Sequence, residues 1–227
     1  MKRDPTIARS RLTTPRAAAI AGILFSVLLI TSLVLVRISV PANPQEAGDW
    51  LARSSDTVSL ALNLLPFAGI AFLWFIGVVR DRLGSNEDRF FATVFLGSGL
   101  LFLAMLFASG AISGSLISIY GSSQKILISS GIYTFGRTVI YEIMTVYTMK
   151  MAGVFMISTC TLSLRTGIFP RWMAVLGIAL ALILLLTISM IPWAPLLFPV
   201  WVLLISVHIL LVNLRRPRNE PSTASLS

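Results

Sequence analysis

Six apolar runs fill most of this 227-residue chain, each close to the roughly 20 residues that a helix needs to cross a bilayer. They lie at about 17–36, 58–79, 90–113, 138–162, 173–190 and 196–214. In lipid every backbone N–H and C=O must be satisfied within the protein, and a helix does this within one segment. The runs therefore predict an all-α integral membrane protein, a bundle of six transmembrane helices. The last two runs adjoin, and the stretch Ile191, Pro192, Trp193, Ala194, Pro195 divides them, because two prolines this close stop a helix and favour a turn. Hydrophobic residues make up 56% of the chain and charged residues only 12%, about half the usual charged share of a soluble domain. One soluble core of this size cannot hide that apolar excess.

Charge placement sets the expected orientation. The net charge is +9. With the N-terminus in the cytoplasm, thirteen of the eighteen Lys and Arg residues fall on the cytoplasmic side and four on the outer side: Arg37, Arg53, Lys125 and Arg137. This is a positive-inside distribution that holds at every cytoplasmic segment, and it places both termini in the cytoplasm. Five spans would put the C-terminal arginines outside, so the bias supports the proline break. Residues 1–16 form a basic cytoplasmic tail, 17–214 the transmembrane domain and 215–227 a disordered cytoplasmic tail. The basic tail fits contact with anionic lipid headgroups. Nucleic acid is not an expected partner, because no aromatic residue is interleaved with those charges. The first apolar run is too long for a signal-peptide core, which suits an uncleaved first helix.

Outside the spans, residues 38–56 form the first outer loop, with a short helix over 45–53 that rests Trp50 and Leu51 on the membrane interface. Ser55 or Asp56 is the expected N-cap of the second span. Residues 114–136 suit outward extensions of the third and fourth helices better than a re-entrant loop.

The eighteenth cation, Lys150, sits near the middle of the fourth run. A charge at that depth costs a few kcal/mol by insertion scales, and such residues usually face a bundle interior or water-filled cavity. Glu142 lies eight residues earlier, about 12 Å and about 80° away on an ideal helix. Tyr147 stands three residues before the lysine, in reach of its ammonium, and Tyr141 is nearby. Lys150 then has three readings: an anion contact or titrating group of an intramembrane site, one half of a structural lock, or a snorkelling side chain. Asn63 in the second span is a candidate for interhelical hydrogen bonding, close to Pro66, which is expected to kink that helix. His208, the single histidine, is a candidate proton relay or a packed core residue. One histidine without nearby acids or cysteines is no metal site. A serine dyad of Ser113 with His208 is excluded by depth, since His208 lies about 18 Å below the start of its helix. Gly110 and Gly114 suit a close helix contact, and the lone Cys160 forms no intrachain disulfide.

The segment 167–177, Gly-Ile-Phe-Pro-Arg-Trp-Met-Ala-Val-Leu-Gly, followed by an apolar helix, resembles a stretch in uncharacterised bacterial small multi-pass membrane proteins. The resemblance covers about a tenth of the chain. It implies a bacterial-type plasma membrane and no activity. No catalytic motif and no cofactor-binding motif is legible. The chain is therefore expected to be a non-enzymatic accessory or interaction subunit without a cofactor, with a membrane-protein partner or a second copy of itself. The alternative is a small carrier or sensor built on Lys150, Glu142 and the neighbouring polar residues.

Overall fold

The computed structural model describes residues 14–41, 49–83, 89–167, 169–186 and 193–215. Among them the chain is all-helical: α1 Thr14–Ser39, α2 Asp49–Leu83, α3 Arg89–Ser129, α4 Ile132–Glu142, α5 Met149–Thr166, α6 Arg171–Leu186 and α7 Leu197–Arg215. A π-helical segment, Ile143–Thr148, joins α4 to α5, and a 3-10 turn, Ala194–Leu196, leads into α7. Five helical units are long and apolar enough to cross a membrane, and α6 is a shorter apolar helix of 16 residues. Large apolar side chains cover the exterior, among them Trp74 at 67%, Phe135 at 72% and Leu186 at 82% exposure. A soluble monomer does not expose apolar surface on this scale; a face of this kind suits a bilayer as its solvent.

Successive helices run antiparallel, as pairs of contacts show. Phe25 of α1 meets Phe72 of α2, and the Ser32 hydroxyl donates to the Ala61 carbonyl at 2.8 Å. Phe72 meets Phe102 of α3, while Gly110, further along α3, faces Leu65. Phe95 stacks on Phe155 of α5, whereas Leu116 at the other end of α3 lies against Gly136 of α4. Gly177 of α6 abuts Cys160, and Gly153 abuts Ala181. Gly22 of α1 abuts Ser206 of α7, and Phe25 meets Phe198. Contact between α6 and α7 closes the ring. The start of α1 and the end of α7 therefore share one end of the bundle, with Arg80, Arg165 and Arg171. The opposite end carries Arg37, Trp50 and Arg137.

Phenylalanines occupy the centre. Phe25, Phe72, Phe102, Phe155 and Phe198, from five different helical units, are fully buried, with ring centroids 4.5–6.4 Å apart. Edge-to-face and tilted pairs of this kind add to the energy of burial. They leave the axis of the bundle filled.

Several expectations change at the Trp50 end. Helix α2 begins at Asp49, so Ser55 and Asp56 lie inside it and neither is its N-cap. Leu51 is packed inside the bundle rather than exposed on its surface, and Trp50 is half-buried beside it. Leu51 is 1% exposed in a second core with Leu116, Leu127 and Tyr133, and the Trp50 indole N–H donates to the Tyr133 hydroxyl at 2.8 Å. This tertiary docking holds the first turn of the helix against α3 and α4. Pro66 stands inside α2 without ending it. Helix α3 extends to Ser129, as expected of a long helix, but breaks its geometry at Ser123. Left-handed Gly131 (φ 76°) then starts α4, and left-handed Gly167 (φ 70°) ends α5, conformations that glycine adopts without penalty. The proline break falls partly outside the described residues, of which Trp193, Ala194 and Pro195 form the turn before α7.

Candidate functional site

The α4–α5 unit runs from Ile132 to Thr166, with Lys150 near its midpoint. Several of its threonine hydroxyls bond to carbonyls of their own helix. Thr145 donates to the Tyr141 carbonyl, Thr148 to Ile143, and Thr159 to Phe155, at 2.7–2.8 Å. The Thr148 bond spans five residues and belongs to the π segment. A π turn closes on i+5 and holds about one residue more than an α turn, which sets the following helix back by roughly 100°. The ideal-helix offset of about 80° between Glu142 and Lys150 thereby becomes about 20° in the opposite sense. Both side chains fall on one stripe, and that stripe faces outward: Tyr141, Glu142, Tyr147 and Lys150 are all exposed, Tyr147 by 57%. Neither Glu142 nor Lys150 has a hydrogen-bond or ion-pair partner among the described residues.

The structure does not gather the six sequence candidates into one place. Glu142, Tyr147 and Lys150 form the outward stripe, rather than lining a bundle interior, while Tyr141, exposed beside them, also lines a cavity at the Trp50 end. Asn63 is exposed on α2, toward the Trp50 end. His208 is half-buried on α7, just beyond Ser206 and toward the opposite end. The reason lies in helix phase. The sequence gives the position of Lys150 along its helix, but the face it occupies depends on the π segment, which has no sequence signature here.

A second feature is a cavity of about 580 Å³ at the Trp50 end, within the range of small-molecule sites. Helices α1 to α4, the π segment and the turn before α7 enclose it. Arg37 and Arg137 stand in its wall, each beside a tryptophan that also lines it. The Arg37 guanidinium lies 5.9 Å from the Trp193 ring centroid, and that of Arg137 lies 5.6 Å from Trp50. The Arg137 Nη2 also donates to the Pro41 carbonyl at 2.8 Å, tying α4 to the end of α1. Serines 32, 109 and 113 add hydroxyls, while Leu62, Leu65, Leu106 and Met144 make the wall apolar. Among the described residues no carboxylate lines this space. One turn along α3 from Leu106, Phe102 joins the phenylalanine cluster, so the cavity has a closed floor. Sequence reasoning missed Arg37 and Arg137 as site residues. The available signal was their position at span ends, among the few cations that depart from the charge bias.

No protein-family model, curated protein or solved structure matches the chain.

Proposed function

We propose that this is a six-span plasma-membrane protein with both termini in the cytoplasm, serving as a non-enzymatic accessory subunit that assembles with another membrane protein. The arginine-rich end of the bundle, where α1 starts and α7 finishes, supports the orientation, since cytoplasmic ends collect Lys and Arg. Anionic lipid headgroups are the natural neighbours of that end. The likeness of residues 167–177 to small bacterial membrane proteins supports a bacterial-type plasma membrane.

The observation that carries the reading is the outward placement of Lys150 at mid-span. A lysine at the centre of a lipid-facing helix costs about 2.5–3.5 kcal/mol on insertion scales. A carboxylate on a neighbouring helix at the same depth offsets that cost, and the flanking tyrosines supply contact area and hydrogen-bonding groups. A second copy of this chain is the weaker fit. A two-fold axis along the membrane normal sets Lys150 level with Lys150, with Glu142 about 12 Å away along the normal. The partner is therefore a different membrane protein with an acidic residue inside a span. The filled axis of the bundle weighs against the alternative reading, a carrier with a solute path at Lys150.

Extraction from native membranes in mild detergent tests the proposal. A second membrane protein with an intramembrane Asp or Glu should co-purify in fixed proportion. Lys150→Met should release it while the protein still accumulates at normal levels, and Lys150→Arg should retain it. A clean monomer or homodimer from the unmodified chain contradicts the accessory role. Loss of folded protein in Lys150→Met assigns the lysine a structural role instead.

A further inference from the structure

We propose that the cavity at the Trp50 end binds a single-chain amphiphile, its anionic phosphate or carboxylate head at Arg37 and Arg137 and its apolar tail against Leu62, Leu65, Leu106 and Met144. This goes beyond assembly through the Lys150 stripe and rests on different residues, Arg37 and Arg137.

Two guanidiniums line one cavity, and a guanidinium in a largely apolar wall gains from an anionic ligand that replaces its lost hydration. Guanidinium is the side chain best suited to phosphate and carboxylate, because its planar fork donates two parallel hydrogen bonds. Each guanidinium carbon lies over a tryptophan ring, 5.6–5.9 Å from its centroid, a cation–π contact that orients the side chain without using its N–H donors. The Ser32, Ser109 and Ser113 hydroxyls already donate to helix carbonyls, so they supply acceptor oxygens and shape rather than further donors. The rest of the wall is apolar, which suits a chain and not a free ion. The lining stops at Leu65, Leu106 and Met144, and the phenylalanine cluster fills the bundle beyond them, so the cavity holds its occupant rather than passing it through the bundle. Its size matches one ligand of drug-like dimensions.

Trp50 and Trp193 line the cavity, so tryptophan fluorescence reports occupancy. The experiment titrates the purified full-length protein, in neutral detergent, with an ω-bromoalkyl phosphate whose bromine quenches indole emission. Saturable quenching is expected, and Arg37→Gln should weaken it by about tenfold, the scale of one charge-assisted hydrogen bond. Arg37 is the residue to change first, because Arg137 also anchors the Pro41 carbonyl. Ser113→Phe, which fills the wall and leaves both arginines in place, should abolish saturation and serves if Arg37→Gln does not fold. The proposal is overturned if an uncharged ω-bromoalcohol of the same length quenches with equal affinity, or if Ser113→Phe changes nothing. Equal displacement by inorganic phosphate alone also overturns it, in favour of a simple anion site.

Discussion

At the scale of single residues, Gly177 is the tightest point of the α5–α6–α7 corner. A Cβ there runs into the Cys160 Sγ and the Trp201 indole, both fully or nearly fully buried. Neither neighbour is the free end of a flexible side chain, so the corner must open to admit a methyl. Gly177→Ala is expected to destabilise the protein by about 1–3 kcal/mol, the usual cost of overpacking, which thermal unfolding in detergent measures as a lowered midpoint. An unchanged midpoint would mean that α6 sits further from α7. Nothing in the sequence singled out Gly177 for this role, because what a glycine accommodates is decided by elements distant in the chain. Lys150 is the converse case. Its depth follows directly from its place in an apolar run, and only its facing required the structure.

At the scale of elements, the apolar runs fixed the helices well but not their ends. The expected start of the second span near residues 55–56 rested on capping chemistry, whereas α2 begins at Asp49 because Trp50 and Leu51 dock on α3 and α4. Local propensity loses here to a tertiary contact, a common outcome for short segments. The hydrogen bond from Trp50 to Tyr133 makes this testable. Trp50→Phe and Tyr133→Phe each remove the same bond, so their effects should not add. The double variant is expected to be less destabilised than the sum of the singles by about 0.5–1.5 kcal/mol. Strict additivity in thermal or denaturant unfolding would show that the two side chains do not pair. The π segment is the second element that sequence could not supply: its residues are ordinary helix formers, yet it turns the Lys150 stripe onto the same line as Glu142.

At the scale of the whole molecule, six helical units close into a ring around a plug of phenylalanines, with one cavity-bearing end and one arginine-rich end. The all-helical build, with helices long and apolar enough to cross a membrane, was legible from the apolar runs because bilayer thickness imposes a length on every crossing. The packing order was not, because lipid-facing and core-facing residues are equally apolar; hydrophobic periodicity cannot separate them, and only the few polar residues mark a face. That leaves the outward stripe of α4–α5 as the feature on which the functional account rests. Site-specific photo-crosslinking tests it directly: a photoreactive amino acid replaces Tyr147, the exposed neighbour of Lys150, in cells expressing the full chain at native levels. The account predicts one discrete adduct with a different membrane protein, lost when Lys150→Met is added. An absence of protein adducts at position 147, or an adduct only to a second copy of this chain, would contradict it.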